Sequence, residues 1–142
     1  MGVAESCSGG MLSARLIGVP GVSDVYRAGL ITYSNQAKHE LIQVSNDTLE
    51  TFGAVSEETA REMVDGTIKT TGCDYAVAIT GIAGPDGGTE EKPVGLVYIA
   101  CGCKDNVIVK KCQFNGNREK VRQSSTATAL TLLRGQLLKN IG

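Results

Sequence analysis

The chain has no tryptophan, two phenylalanines, three prolines and one histidine in 142 residues. Aromatic side chains make up 4% of it, too few to build the stacking platforms on which single-stranded nucleic acids lie. It also lacks an excess of either charge. Its 14 basic and 15 acidic residues give a net charge of −1, which argues against nucleic acid as the main partner, because such partners demand a basic face. No apolar run approaches the ~20 residues of a membrane span. The five cysteines, Cys7, Cys73, Cys101, Cys103 and Cys112, are odd in number and include no CxxC pair. Cys101-Gly102-Cys103 alone is too little for a zinc site, and with His39 the sole imidazole no metal cage is expected. Unpaired thiols fit a reducing compartment. Residues 1–5 show no charged segment followed by an apolar core, so secretion is not indicated and the expected location is cytoplasmic.

What is present is enough for one domain over residues 1–142, with a core that needs no staples. Ser8 or Gly9 opens a short helix through Met11, Leu12, Leu16 and Ile17, ended by Gly18, Pro20 and Gly21. Residues 25–33 read as a strand, with Leu30, Ile31 and Tyr33 on the sheet. A helix from Asn35 carries Lys38, Leu41 and Ile42, and Gly53 stops a further short segment around Leu49. Ser56 caps a helix in which Ala60, Met63, Val64, Thr67 and Ile68 recur at helical spacing, with Glu57 and Glu58 favouring its dipole and Gly72 closing it. Strands follow over 74–80, 94–101 and 107–114, the last two as a hairpin across Lys104-Asp105-Asn106. Asn117 caps a final helix whose Val121, Leu130, Leu133, Leu137 and Ile141 face the core. This order predicts an α/β fold, a three-layer α/β/α sandwich with a mixed, largely parallel sheet.

Two loops stand out. The run Thr80-Gly81-Ile82-Ala83-Gly84-Pro85-Asp86-Gly87-Gly88 follows the apolar stretch Ala76-Val77-Ala78-Ile79. A strand that empties into a glycine-rich loop is where open α/β sheets bind ligands. The small-residue turn Glu5-Ser6-Cys7-Ser8-Gly9-Gly10 leads into the first helix in the same way. Together they suggest a pocket for a small anionic molecule. The GxxxxGK[ST] pattern of a P-loop and the dinucleotide fingerprint are both absent.

Ser6, at the tip of its turn, is a nucleophile if a base lies near, and otherwise a cap or ligand contact. His39, between Lys38 and Glu40 on a helix, reads as solvated. A lysine desolvated in a pocket can accept a proton instead, as in Ser-Lys variants of the hydrolytic triad. Lys38 follows the strand ending at Tyr33, which puts it at the same sheet edge as Thr80 if the strands are parallel. In isolation it would be a surface lysine. Tyr33 either orients Lys38, stacks on a planar ring, or is a half-buried sheet residue. Arg118 and Arg122, at the start of the last helix, either hold a phosphate or lie solvated. Lys92 is a further positive charge for the glycine loop.

These motifs resemble the C-terminal domain of the competence/damage-inducible CinA proteins, a domain also found alone as a nicotinamide mononucleotide amidohydrolase. The resembling segments are Ala4-Glu5-Ser6-Cys7-Ser8-Gly9-Gly10, Gly29-Leu30-Ile31-Thr32-Tyr33-Ser34-Asn35-Gln36-Ala37-Lys38, Gly53-Ala54-Val55-Ser56, the glycine loop, Lys92-Pro93-Val94-Gly95 and Gly116-Asn117-Arg118. They occur in family order over almost the whole chain. The resemblance implies an enzyme that removes ammonia from the carboxamide of nicotinamide mononucleotide, in pyridine nucleotide salvage. It implies Ser6 as nucleophile, Lys38 as general base, and Tyr33 and Thr80 completing the site. Substrate would be held by Ser8, Gly9, Gly10 and Asn35, by Gly81, Ile82, Ala83, Gly84, Gly87 and Gly88 of the loop, and by Arg118 at the phosphate. The family implies a homo-oligomer and no cofactor or metal. Its leading helix and longer first strand are expected to be missing here. A non-catalytic nucleotide-binding module linked to competence or DNA damage is the alternative reading. Developing oxyanion charge would fall to backbone amides of residues 6–10 or to the Thr80 hydroxyl.

Overall fold

A computed structural model describes residues 1–141, with side-chain surroundings through Lys139. The elements in chain order are β1 (Gly2–Glu5), α1 (Met11–Ile17), β2 (Ala28–Ile31), α2 (Asn35–Ile42), α3 (Asn46–Phe52), α4 (Glu57–Thr71), β3 (Ala76–Gly81), β4 (Leu96–Cys103), β5 (Asn106–Gln113) and α5 (Arg118–Ile141), with a 3-10 turn at Val22–Asp24. They form a five-stranded sheet in the order β2-β1-β3-β4-β5. β1 pairs in parallel with β2 and β3, and β4 is antiparallel to both β3 and β5.

Alternation along the strands divides the core between two faces. Val3, Val77, Ile79, Val97 and Ile99 pack against Leu12 of α1 and against Val121, Ala129 and Leu133 of α5. Ala4, Ala76, Ala78 and Ala100 meet Ile42, Leu49, Ala60, Met63 and Val64 of α2, α3 and α4. The second face is paved with alanine, so the larger helix side chains fill the space that the sheet leaves. The result is the expected three-layer α/β/α arrangement. Gly66 serves the same closeness between helices, since a Cβ there would stand 1.6 Å from the Ile42 carbonyl oxygen.

Helix boundaries follow local chemistry. The Ser34 and Ser56 hydroxyls accept from the amides of Ala37 and Thr59 at the starts of α2 and α4, and Gly72 ends α4 in the left-handed region. Asn117 accepts from the Lys120 amide at 2.9 Å as the cap of α5.

Three expectations change. The second strand is Ala28–Ile31 rather than 25–33, because its one neighbour, β1, ends at Glu5 and offers no ladder beyond. Ile31 and Tyr33 are therefore exposed, Tyr33 at 62%. Leu137 is 39% exposed rather than in the core, because it lies beyond the part of α5 packed on the sheet, whose last buried residue is Leu133. The side chain of Ile141, also expected in the core, lies outside the described residues. No described helix is long and apolar enough to cross a membrane.

Candidate active site

The sheet's register assembles the site. Glu5 of β1 is level with Ile31 of β2 and Ile79 of β3. The next residue on each strand is Ser6, Thr32 or Thr80, so three hydroxyl residues arrive together at the carboxyl ends of three parallel strands. The Ser6 amide donates to the Ile79 carbonyl at 3.0 Å, and the Thr32 amide to the Glu5 carbonyl at 2.8 Å. The chain leaves β1 toward β2 on one side and returns through β3 on the other, which makes this end the switch point at which such sheets bind ligands.

α2 brings the fourth group. Starting four residues after the end of β2, it turns Lys38 and Ile42 to the same inner side at i, i+4 spacing. Lys38 is 1% exposed. Its Nζ donates to Ser6 Oγ at 3.0 Å and to the Thr32 carbonyl at 2.8 Å. Among the described residues the one ion pair is Arg61–Glu57, so no carboxylate holds the Lys38 charge in place. Burial pushes its pKa down from 10.5 to about 8, opposed in small part by Cys7. A lysine so placed is neutral in about a tenth of molecules at pH 7 and about half at pH 8, and its lone pair is then within reach of the serine proton. His39 is exposed, with its Nδ1 against the Val44 carbonyl at 2.8 Å, and takes no part.

Around this pair lies a cleft of about 220 Å³, lined by Ser6, Cys7, Tyr33, Lys38, Ala54, Val55, Thr80, Gly81, Ala83 and Arg118. Roomier hollows of about 620 and 660 Å³ lie toward the other end of the parallel strands, around Lys69 and Asn106 and around Met1 and Tyr26. Neither contains a nucleophile paired with a base. Arg118 crosses the cleft mouth, donating to the Gly84 carbonyl at 2.8 Å and to the Tyr33 hydroxyl at 3.3 Å. Both acceptors are neutral, so its positive charge stays available to an anion. The Cys7 thiol is pushed up to about 11 by burial, which keeps it protonated and a poor competitor of Ser6.

The candidates drawn from the sequence thus divide. Ser6, Lys38, Tyr33, Thr80, Gly81, Ala83 and Arg118 share the cleft, and Gly84 joins through its carbonyl. The others lie outside its lining. Ser8 is buried within its turn, and its hydroxyl has no hydrogen-bond partner among the described residues. Gly9 sits over Arg122, Gly10 precedes α1 as its N-cap, and Asn35 is exposed at the start of α2. Ile82 extends the ladder toward β4 through bonds with Leu96 and Gly95. Gly88 packs against Val94, where a Cβ would stand 2.7 Å from the Val94 nitrogen, and Gly87 is exposed. Gly88 thus serves the turn's own packing.

Three side chains are committed elsewhere than expected. The Thr80 hydroxyl donates to the Ala54 carbonyl at 2.8 Å, so its proton is not free for an oxyanion. Arg122 reaches the Cys7 and Ser8 carbonyls at 2.9 and 3.2 Å instead of standing ready for a phosphate. Lys92 donates to the Phe52 carbonyl and fastens the glycine loop to the end of α3. Cys7, Ala54 and Val55 line the cleft although nothing in their residue types marks them. Glu5 is the other residue missed. Its carboxylate accepts from the Leu12 and Ser13 amides at 2.9 and 3.0 Å and from the Ser13 hydroxyl at 2.9 Å. It supplies the helix start with the acceptor that Gly10, as N-cap, lacks. An acid upstream of a helix opened by glycine is the signal that pointed to it.

Comparison with known proteins gives the family of the chain. The family model of the CinA C-terminal domain matches residues 1–137. The chain belongs to that family. A Clostridium beijerinckii relative named "Putative competence-damage inducible protein" is 54% identical over 136 residues, covering 96% of this chain and 33% of its own length. The chain therefore spans about a third of the length of that relative. Among solved structures, the competence/damage inducible protein CihA of Agrobacterium tumefaciens is 41% identical, with a TM-score of 0.89 over 92% of this chain and 81% of that one. The competence damage-inducible protein A (ComA) of Klebsiella pneumoniae is 36% identical, with a TM-score of 0.93 over 96% and 85%. The mixed α/β sandwich is the fold of this family.

Proposed function

We propose that this chain is a nicotinamide-nucleotide amidohydrolase, converting nicotinamide mononucleotide and water to nicotinic acid mononucleotide and ammonia by a Ser-Lys mechanism. The observation that carries the reading is the buried contact of 3.0 Å between Lys38 Nζ and Ser6 Oγ, in a cleft with an uncompensated arginine at its mouth. An amide is a poor electrophile with a poor leaving group, so the attacking hydroxyl must lose a proton and the departing nitrogen must gain one. Neutral Lys38 takes the Ser6 proton as the Oγ–carbon bond forms. The resulting ammonium returns that proton to the nitrogen as the carbon–nitrogen bond breaks and ammonia leaves. Water, deprotonated in turn by Lys38, then adds to the ester carbon, and Lys38 returns that proton to Ser6 Oγ as the acyl carbon–oxygen bond breaks and the acid leaves.

The size of the cleft supports a division of the substrate. At about 220 Å³ it lies below the 300 Å³ or so typical of sites that enclose a whole ligand, which suits a carboxamide and its ring inside with the ribose phosphate outside. Arg118 then meets the phosphate and Tyr33 borders the ring. A small-molecule site with neither nucleic acid nor membrane as partner, in a cytoplasmic homo-oligomer serving pyridine nucleotide salvage, completes the proposal.

The test is ammonia release from nicotinamide mononucleotide by the purified chain, with Ser6→Ala beside it. Release by the unaltered chain and a fall of at least about 100-fold in the variant are expected, the usual scale for removing a group that acts in the chemical step. No release by the unaltered chain, or equal release by both, would refute the assignment.

A further inference from the structure

The hydrogen bonds of the turn after Ser6 form a relay of peptide planes that begins at Arg122. In a trans peptide the carbonyl and the N–H point in opposite directions. Arg122 lies on α5, on the face of the sheet opposite α2 and Lys38, and its Nη2 draws the Ser8 carbonyl toward that face. The amide of the same peptide unit, that of Gly9, is thereby turned the other way, where it donates to the Ser6 carbonyl at 3.1 Å. That bond fixes the Ser6 carbonyl and turns the Cys7 N–H to the opposite side. The Cys7 amide faces its own thiol sulfur, a weak acceptor, and donates to no other described residue, and Cys7 lines the cleft next to Ser6. Arg122 Nε holds the Cys7 carbonyl at 2.9 Å as well, so two successive peptide units are gripped by one guanidinium. From the other end Glu5 ties the turn to α1 through three hydrogen bonds.

An arginine with no carboxylate partner among the described residues, half-buried and spending its fork on two consecutive carbonyls, is an unusual use of charge. Charge-assisted bonds are shorter and about twice as strong as neutral ones, so they hold a glycine-rich turn that would otherwise sample several conformations. We propose that Arg122 is a positioning residue of the reaction. It aims the Cys7 amide at the oxygen that gains negative charge when Ser6 attacks, the role that the Thr80 hydroxyl, already committed to Ala54, leaves open. The inference rests on the reading of Ser6 as nucleophile.

The test uses a fluorophosphonate, which reports on the nucleophile and its oxyanion donors whatever the natural substrate. Ser6 Oγ attacks phosphorus, the Oγ–P bond forms, the P–F bond breaks with loss of fluoride, and the serine proton passes to Lys38. Labelling of Ser6 is followed by mass spectrometry in the unaltered chain, in Arg122→Ala and in Arg122→Lys, which keeps charge and stem but loses the fork. Losing an aimed oxyanion donor costs about 100-fold or more in the chemical step, so Arg122→Ala is expected to label about that much more slowly. Arg122→Lys should fall between, and added guanidinium ion, but not ammonium, should restore Arg122→Ala. With nicotinamide mononucleotide the same variants should lose kcat and keep KM. If Arg122→Ala does not fold, Arg122→Lys carries the comparison. Labelling of either folded variant at the unaltered rate, or a rise in KM with kcat preserved, would overturn the role of Arg122 alone. No labelling of Ser6 in the unaltered chain would overturn the nucleophile and the inference together.

Discussion

Replacing Lys38 by methionine should change how stability depends on pH, in a direction and amount set by the burial of one nitrogen. Lys38 is 1% exposed and meets neutral partners only, Ser6 Oγ and the Thr32 carbonyl. The fall of its pKa from 10.5 to about 8 corresponds to about 3 kcal/mol between its charged and neutral forms. At pH 7 the side chain is mostly charged in the folded chain and fully charged in the unfolded one, so the folded state bears nearly all of that cost. As pH rises through 8 the folded chain releases the proton first, while the unfolded chain keeps it until about 10.5. Across that window the unfolded state binds more protons, so the stability of the wild type climbs with pH and levels off above it. Methionine has similar length and no charge, and other titrating groups cancel in the difference. Urea unfolding at a series of pH values should therefore show the wild type gaining about 3 kcal/mol on Lys38→Met between pH 7 and 10.5. At pH 7 relief of the charge offsets much of the loss of two hydrogen bonds, each worth about 1–3 kcal/mol when a buried partner is left unmet, so the variant should lie within about 3 kcal/mol of the wild type there. A difference that stays flat across the window would mean that the ammonium is hydrated in the folded chain, and the account of Lys38 as a base prepared by desolvation would fall with it.

Two further outcomes follow from the same geometry. Ammonia release should rise about tenfold from pH 7 to pH 9, as the neutral fraction of Lys38 grows through its pKa of about 8; a kcat/KM profile flat over this range would separate Lys38 from the base. Gly66→Ala should destabilise by at least about 2 kcal/mol although alanine favours helices, because its methyl would meet the Ile42 backbone, with the carbonyl oxygen at 1.6 Å, and cannot be absorbed by a side-chain rotation. Since α2 ends at Ile42 and carries Lys38, turnover should fall with stability; thermal unfolding and the ammonia assay on one preparation check both, and an unchanged melting temperature would contradict the close crossing of α2 and α4.

The parts of the fold that local pattern controls were readable from the chain. Serine caps at Ser34 and Ser56, the stop at Gly72 and the buried strand before Thr80 depend on neighbours a few residues away, and the structure has them there. The placing of Lys38 at the same sheet edge as Thr80 was readable too, because it needs only that β2 and β3 run parallel, whereas its pairing with Ser6 came from the family motifs and not from local pattern. What local pattern does not carry is the partner of a polar side chain. Arg122 and Cys7 are 115 positions apart, and no spacing rule links a helix arginine to a carbonyl in a distant turn. The Thr80 hydroxyl likewise looked free until Ala54, 26 positions earlier, was brought beside it. Residues 25–27 and 32–33 carry strand-like side chains, yet β2 stops where β1 does, since a strand lasts only as long as its neighbour.

The inner face of α2 shows where sequence rules fail and why. On apolarity alone the helix should bury Ala37 and Leu41, an i, i+4 pair as regular as Lys38 and Ile42. The structure instead leaves Leu41 exposed and Ala37 half-buried, and buries Lys38 with Ile42. Rotating the helix to bury Leu41 would move the ammonium into water, restore its ordinary pKa and leave Ser6 without its nitrogen partner. Packing of Ile42 and Val44 with Met63 and Val64 fixes the rotation that holds Lys38 inside. A side chain buried against its own solvation, by neighbours that have no chemistry of their own, is the kind of local inconsistency that a fold keeps where function requires it.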